Sequence, residues 1–457
     1  MSAGAAAAVR PAIATRVSQP LKVAASSVPA TAPVLHLWVL LYLIVIYIRP
    51  GEIFPSLVET PILDYISLGA VAAAALSMFM NRRRLFDQPH DWFFLVYTGL
   101  ILISQPVWGW MGGVLDSLTR FAPVLFFYFL IRLGVQSDQE IARFTRVLVW
   151  LNVFLAVNGL MQVFLGAGFG NSAAMETTEG IRIMGTGIFN DPNDLGMTLV
   201  LAVPFVLSRL SARGTHMVGR VVASVILATL LTACYYTNSR GTILAIGVTF
   251  TVFAYRRAGP FTATMVATIG LVGILFLAPS RMSQMDADED SAQGRIQAWS
   301  EGLQMFKANP VFGVGFGGFA DNHGLVAHNS FVHVLAELGF PGAVAFVGMF
   351  YWYFLGLGAT QLPRTRAEAD RMRLRRDLGD GALGMLICMF FLSRQYTPVP
   401  FAMLALGAAY MSKTPANERR GGDHAFDATL MHIGIVMALT LFMTIVIYMI
   451  AVLFGDY

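Results

Sequence analysis

The sequence predicts an all-α fold, a polytopic transmembrane helix bundle of about 12–13 spans with a large outer loop that carries short surface helices. Of the 457 residues, 56% are hydrophobic and 13% are charged, against about 25% charged in an average soluble domain. Apolar runs of bilayer-crossing length recur along the whole chain, and basic residues gather in alternate loops. These observations exclude a soluble enzyme with one anchor. The net charge of +4 does not imply nucleic acid as a partner.

About thirteen apolar stretches are long enough to count as spans. They lie at roughly 36–49, 61–80, 91–111, 119–134, 145–167, 194–209, 218–237, 241–255, 260–279, 341–358, 380–394, 397–412 and 430–454. The short pair at 380–412 is also compatible with a re-entrant hairpin. Cys234 and Cys388 fall inside the apolar runs, so we expect free, buried thiols rather than a disulfide framework.

The first 33 residues differ from the rest of the chain because they are rich in Ala, Pro and Ser. They lack the short apolar core followed by a cleavage site that is typical of a signal peptide. We therefore predict a disordered cytoplasmic tail at 1–33, followed by a single transmembrane domain at 34–457.

The distribution of basic residues predicts the orientation of the bundle. With the amino terminus in the cytoplasm, the inner loops and the tail hold 23 of the 31 Lys and Arg residues, and only eight face outward. Because cytoplasmic loops carry the excess of Lys and Arg, this split favours that topology. It also leaves two long outer loops, at about 168–193 and 280–340, where we expect an outward-facing activity.

Only three of the eight histidines fall on the outer side, and His323, His328 and His333 lie within eleven residues. Spacings of five separate helical side chains by about 140°, whereas paired metal ligands favour i+3 or i+4. We therefore expect no metal site. The alternative to a functional role is that these histidines are ordinary polar residues where the chain re-enters the membrane.

The apolar residues between Ser330 and Leu338 follow helical spacing, with Ser330, His333 and Glu337 on the other side. The Gly-Phe-Pro-Gly sequence at 339–342 should break this helix before the next span. We predict a short helix at the outer membrane surface with His328 near its start, because a histidine titrates near neutral pH and can serve as a general base.

Three outward arginines are further candidates. Arg240 lies at the outer turn between two spans, where an arginine is costly unless it is paired; the alternative is that it snorkels to the headgroups. Arg295 opens a second predicted surface helix, and Arg182 lies in the first long outer loop. The apolar stripe of that second helix is Ile296, Trp299, Leu303 and Phe306. Because guanidinium groups suit phosphate oxygens, a histidine base beside these arginines suggests transfer from a lipid pyrophosphate.

Four other features have simpler interpretations. GVGFGG at 313–318 follows no strand and predicts a turn rather than a nucleotide loop. DADED at 286–290 is interpreted as a solvated acidic run rather than a metal motif. DPNDL at 191–195 suits helix capping, and Glu337 is a candidate partner for Arg394 at the outer end of a later span.

The outer motifs resemble the O-antigen ligase and polymerase superfamily. His328-Asn329, nine residues, and then Gly339-Phe340-Pro341-Gly342 resemble the ligase signature of His, a small polar residue, nine of any kind and Gly-x-x-Gly. Other elements that resemble the family are Phe189 to Asn193, Ser239-Arg240-Gly241, Arg295 to Trp299 and PVFGVGFG at 310–317. The resemblance covers roughly 180–345. Family members often have 12 crossings, so thirteen predicted spans depart from the pattern on the carboxyl-terminal side.

The resemblance implies a metal-independent, inverting glycosyl transfer without a cofactor, on the periplasmic face of the bacterial inner membrane. The donor would be a glycan on undecaprenyl pyrophosphate, and the acceptor a lipid A-core sugar, a protein or another lipid-linked glycan. His328 would deprotonate the acceptor hydroxyl, and Arg240 and Arg295 would hold the pyrophosphate. Arg182, Asn329 and His333 would bind substrate.

The sequence leaves alternatives open. Ligases and polymerases share the motifs above, so the motifs do not separate them. A transporter or flippase for the same lipid-linked sugar predicts charged or broken helices near the bilayer midplane, whereas the polar signal here lies in outer loops. A metal-dependent transferase needs a close acidic pair, and the first outer loop offers only Glu52 and Glu59, seven apart.

Overall fold

The structure is a computed structural model of the chain, and it describes most of the predicted transmembrane domain. The described residues are 32–80, 85–177, 180–212, 214–277, 292–324, 326–358, 365–413 and 426–454. Nearly all of the predicted tail at 1–33, and the whole acidic run at 286–290, lie outside them.

Helices account for almost all of the described secondary structure. The helices are α1 (Ala32–Ile48), α2 (Pro50–Ile53), α3 (Ile62–Met80), α4 (Pro89–Val107), α5 (Gly113–Gly134), α6 (Asp138–Phe164), α7 (Pro192–Ser211), α8 (Met217–Tyr236), α9 (Arg240–Ala258), α10 (Pro260–Leu277), α11 (Ala292–Ala308), α12 (Gly318–His323), α13 (Ser330–Gly356), α14 (Arg366–Met389), α15 (Pro398–Ser412) and α16 (Phe426–Phe454). Three short 3-10 turns lie at Pro55–Leu57, Phe169–Asn171 and Gly187–Phe189. One hairpin pairs β1 (Met175–Thr177) with antiparallel β2 (Gly180–Arg182).

The predicted all-α polytopic bundle is confirmed. Each of the predicted spans overlaps a helix of the structure. Among the described residues, eight helices are long and apolar enough to cross a membrane. Helix α15 has 15 residues, which gives a length of about 22 Å against a hydrocarbon core of about 30 Å. Thirteen full crossings therefore stay a prediction.

Helices α7, α13 and α15 form the centre of the bundle. Every residue of α15 from Val399 to Met411 is buried, and so are most residues of α7 and α13. A helix that is apolar on all sides is typical of a position enclosed by other helices. Helices α3, α8 and α16 have few buried residues, as expected of helices that face lipid.

Loops that were predicted to share a side of the membrane contact one another. On the predicted outer side, the backbone N–H of Gly187 donates to Oε2 of Glu52 at 2.7 Å. On the predicted inner side, Nη2 of Arg132 lies 2.5 Å from Oδ1 of Asp87. The bundle therefore has two distinct ends, and we name them the outer end and the inner end after their predicted sides.

Candidate functional site

Among the described helices that begin at the outer end, α7, α9 and α13 each begin with a side-chain cap. Asp191 accepts from Asn193 N at 2.8 Å at the start of α7. Ser239 caps α9, and Asn329 caps α13. Helix amino termini carry partial positive charge and present unpaired N–H groups, so they favour anions. The predicted capping role of the 191–195 motif is confirmed for Asp191.

His328 lies directly before the capped start of α13. The side chain of Asn329 accepts from the backbone N–H groups of Phe331 at 2.9 Å and Val332 at 3.1 Å. Asn329 is fully buried, whereas His328 is partly exposed. His328 has a φ of 49°, in the left-handed region that non-glycine residues rarely adopt. The Asn329 cap therefore fixes the backbone directly after His328.

Arg240 is the first residue of α9. Ser239 accepts from Thr242 N at 3.4 Å, and Asn238 before it has a φ of 53°. This turn places an exposed arginine at the amino terminus of a helix, where the helix dipole adds to the positive charge of the guanidinium.

Arg295 lies in the first turns of α11, which was predicted as a surface helix with an apolar stripe. Trp299 and Leu303 of that stripe are buried, and the helix packs against α13 and α16. The stripe therefore packs against the protein instead of lying on the membrane surface. Packing against these two helices fixes the position of α11, and Arg295 on it is partly exposed.

The segment 390–394, which joins α14 to α15, lies between these motifs. The ring centroid of its Phe390 lies 5.5 Å from that of Trp299 on α11 and 6.3 Å from that of Phe331 on α13. A Cβ on Gly241 would lie 3.1 Å from Cβ of Phe391. The starts of α9, α11 and α13, and with them Arg240, Arg295 and His328, are thus joined through one short segment.

The same segment also holds the amino terminus of α7. Nη2 of Arg394 donates to Oδ2 of Asp194 at 2.6 Å, and its Nε donates to the other carboxylate oxygen. Ser330 donates to the Leu392 carbonyl at 2.6 Å and accepts from the Arg394 backbone N–H at 2.9 Å. The predicted pairing of Glu337 with Arg394 is therefore wrong, because Asp194 lies beside that guanidinium instead.

Sequence reasoning did not find the 390–394 segment as part of the site. One signal was present: Arg394 is an arginine between two apolar spans, and such an arginine needs a partner. The partner, Asp194, precedes it by 200 residues, and its capping-like position in the 191–195 motif concealed the ion pair.

Helix α13 is interrupted where the Gly-x-x-Gly motif predicted a break. Gly339 has φ 66° and ψ −167°, far from helical values. The backbone N–H groups of Val314 and Gly315 donate to the carbonyls of Ala336 at 2.8 Å and Glu337 at 3.0 Å. The glycine-rich 313–318 segment is thus a turn, as predicted, and it supplies the donors that the helix lacks at the break.

The stretch from Ser330 to Leu338 is buried almost throughout, so it does not lie at the membrane surface as predicted. Nε2 of His333 is hydrogen-bonded to Oε1 of Glu337 at 3.0 Å, and Phe319 N donates to the same oxygen at 3.1 Å. The His333 ring centroid is 6.2 Å from that of Tyr396. Burial raises the pKa of Tyr396 well above its usual value, so it remains a neutral phenol beside this pair.

Arg182 ends β2 in the long outer loop at 168–193 and is buried. Its Nε donates to the carbonyl of Thr237 at 3.1 Å, and its Nη2 donates to Oδ1 of Asn193 at 3.2 Å. Arg182 thus ties the loop to the turn before Arg240 and to the start of α7. The structure brings Arg182 to the same end as the other predicted site residues.

Glu52, one of the two acidic residues of the first outer loop, is bonded to protein groups. It lies 3.1 Å from Arg49 and accepts from Gly187 N at 2.7 Å. Within the described ranges, no group of three or more His, Cys, Asp or Glu residues is placed to hold a metal ion. Glu52 therefore fastens the first outer loop to the second.

A family model described as O-antigen ligase matches residues 222–347. The matched region begins in α8 and ends in α13, and it contains Arg240, Arg295 and His328. No curated protein matches the chain. The predicted resemblance to this superfamily is confirmed.

Proposed function

We propose that this protein transfers a glycan from a lipid-linked donor to an acceptor, and the match of residues 222–347 to the O-antigen ligase family model supports this. The donor is a glycan on undecaprenyl pyrophosphate, and the acceptor is a sugar hydroxyl of a lipid A-core, a protein or a second lipid-linked glycan. The protein lies in the bacterial inner membrane with its site on the periplasmic face. The excess of Lys and Arg in the loops of the inner end supports this orientation.

One observation supports the proposal most directly. The three motifs that carry His328, Arg240 and Arg295 are far apart in the sequence, yet all contact the 390–394 segment through residues within about one helical turn of them. Convergent helix amino termini and arginines suit a pyrophosphate, and a partly exposed histidine suits a proton acceptor.

The transfer is a single displacement. His328 takes the proton from the acceptor hydroxyl as the oxygen attacks the anomeric carbon, so the new glycosidic bond forms as the carbon–oxygen bond to pyrophosphate breaks. The electron pair of that bond stays with the pyrophosphate oxygen, and the configuration at the anomeric carbon inverts. Arg240 and Arg295 stabilise the charge that develops there; fixed cations at such a position can contribute several kcal/mol.

The remaining predicted residues have supporting places in this proposal. Arg182 is fixed beside Asn193 and the turn before Arg240, and contributes positive charge to the donor site. Asn329 holds the His328 backbone through its cap. His333 and Glu337 lie buried beneath the start of α13. Binding of substrate by Arg182, Asn329 and His333 stays a prediction, and the proposed chemistry uses no metal or cofactor.

The test is a reconstituted assay with an undecaprenyl-pyrophosphate oligosaccharide, with products sized on a gel. We expect His328→Ala to lower the transfer rate by at least about a hundredfold, because general base catalysis contributes about 10²–10⁴-fold. His323→Ala is the matched control: it removes a histidine from the same outer loop and should retain activity. A His328→Ala protein that folds and transfers at the wild-type rate would contradict the base assignment.

The same assay separates the possible acceptors. A ladder of added repeat units from the donor alone indicates a polymerase. Product that requires a lipid A-core or protein acceptor indicates a ligase. No product with any acceptor would contradict the proposal and favour transport of the lipid-linked glycan.

A further inference from the structure

A cavity of about 600 Å³ lies between α6, α7, α8 and α14 at the inner end. It is lined near the start of α6, the end of α7 and the start of α8, whereas the candidate site is formed by the opposite ends of these helices. The cavity therefore does not belong to the candidate site.

The lining of the cavity changes from basic to apolar along α6 and α7. Arg146 lines it on α6, and Trp150 lines it about one turn deeper. Arg209 lines it on α7, with Phe205 one turn deeper. Ile226 continues the apolar wall on α8. A cavity with cations at the end of the bundle and an apolar wall towards its middle matches a lipid headgroup and its acyl chain.

The charges at the mouth of the cavity favour an anion. Arg146, Arg209 and Arg373 line it together with Asp370 and Asp377. Asp370 is already paired with Arg373, at 2.6 Å, whereas neither Arg146 nor Arg209 forms an ion pair within the described residues. Burial raises the pKa of the Asp377 carboxyl to about 8, so that group is largely protonated at neutral pH. The rim is left with uncompensated positive charge.

We propose that this cavity binds an anionic phospholipid, with its phosphate between Arg146 and Arg209 and an acyl chain along Trp150, Phe205 and Ile226. Basic pockets between transmembrane helices on the cytoplasmic side recognise such headgroups. The exposed side of the wall lies on α6 and α8, where Trp150 and Val222 face outward, so a lipid can enter sideways from the bilayer.

The test uses native mass spectrometry of the purified full-length protein with dioctanoyl phosphatidylglycerol, and dioctanoyl phosphatidylcholine as the neutral comparison. We expect the wild type to prefer phosphatidylglycerol by at least tenfold. The double variant Arg146→Ala/Arg209→Ala should bind it about thirtyfold more weakly, since each arginine near the membrane surface contributes roughly fivefold. The double variant Arg146→Lys/Arg209→Lys keeps the charge and should bind nearly as well as the wild type.

The matched control is Arg143→Ala/Arg220→Ala, which removes the same charge from exposed arginines of the inner end that do not line the cavity. It should bind phosphatidylglycerol as the wild type does. Equal binding of the two lipids by the wild type would overturn the proposal, and this comparison needs no variant to fold. If inorganic phosphate alone displaces phosphatidylglycerol saturably, the cavity is a phosphate site and the phospholipid proposal is wrong. If undecaprenyl phosphate binds more tightly than phosphatidylglycerol, the proposal is also wrong, and the cavity binds that lipid instead.

Discussion

His328 combines a reactive side chain with an uncommon backbone conformation. Its φ of 49° places a non-glycine residue in the left-handed region, which costs about 1–2 kcal/mol. Asn329 caps α13 and Ser330 bonds to the 390–394 segment, so two successive residues hold the backbone on the carboxyl-terminal side of the histidine. A conformation held against a local energetic cost is often found at functional sites.

We predict that Arg240 and Arg295, unlike ordinary surface cations, contribute strongly to kcat/KM. Arg240→Ala and Arg295→Ala should each lower kcat/KM for the lipid-linked donor by about a hundredfold, the scale of losing one fixed donor at a developing charge. Arg240→Lys or Arg295→Lys should lower kcat/KM less than the alanine variants do, because lysine keeps the positive charge but cannot form the paired hydrogen bonds of a guanidinium. Initial rates at varied donor concentration measure both effects.

Lys307→Ala is the control for this prediction. Lys307 lies on α11 with Arg295, in its last turn, 4.5 Å from the Tyr448 ring centroid. Its removal should leave kcat/KM within about twofold, because interactions of exposed charges are weak. The pyrophosphate assignment is wrong if the Arg240 and Arg295 variants behave like the Lys307 variant.

Among the elements, the interrupted helix α13 depends on the glycine-rich turn. A break at Gly339 leaves carbonyls of the preceding turn without their helical donors, and Val314 and Gly315 provide N–H groups for two of them. This close approach of two backbones leaves no room for a side chain. A Cβ on Gly313 would lie 2.3 Å from the carbonyl carbon of Glu337.

We predict that Gly313→Ala destabilises the protein more than Gly324→Ala does. Both glycines have positive φ, 63° and 78°, but a Cβ on Gly324 would meet nothing within 4 Å. Gly324→Ala should therefore lower the free energy of unfolding by only about 1–2 kcal/mol, the cost of a left-handed backbone conformation for a residue with a Cβ. Gly313→Ala should cost about 1–3 kcal/mol more through overlap with α13. Thermal unfolding in one detergent compares them, and equal midpoints would contradict the close packing.

For the whole molecule, the ion pair of Arg394 with Asp194 joins parts of the chain that are 200 residues apart. It fastens the segment between α14 and α15 to the amino terminus of α7, and α7 and α14 also pack along their lengths. The aspartate is buried and the arginine is about three-quarters buried. Removal of one partner therefore leaves a charge with little access to water.

We expect Arg394→Met to destabilise the folded protein by about 3–5 kcal/mol, the typical cost of leaving a buried charge unpaired. Glycan transfer should fall as well, because the 390–394 segment contacts all three site motifs. The double variant Asp194→Asn/Arg394→Met should recover part of the lost stability, since it removes both charges. Thermal unfolding and the transfer assay measure the two effects.

Arg120→Ala serves as the control for this ion pair. Arg120 pairs with Asp116 at 3.0 Å at the same end of the bundle, but its side chain is 61% exposed. Its loss should cost less than about 1 kcal/mol. An Arg394→Met protein as stable as the Arg120→Ala protein would show that the Asp194 pair does not hold the two regions together.

The sequence was a good guide wherever a property depends on neighbouring residues. Apolar stretches identified the helices, and the break at Gly339 and the turn at 313–318 were predicted from glycine and proline spacing. Sequence reasoning failed where the contact partner of a residue lies far away in the chain. Glu337 was assigned to Arg394, although its carboxylate contacts His333 and Phe319 N. The helices at 292–308 and 330–338 were placed on the surface because an amphipathic stripe does not identify what it packs against.

The sequence by itself determined the membrane-spanning helical class, the two-sided distribution of loops and the residue types of the candidate site, because hydropathy, charge and spacing are local properties. Only the tertiary structure decided which motifs meet. The 390–394 segment, the Asp194 partner of Arg394 and the cavity at the inner end each require residues from separate helices. Such contacts arise from packing between distant segments, which no single stretch of sequence specifies.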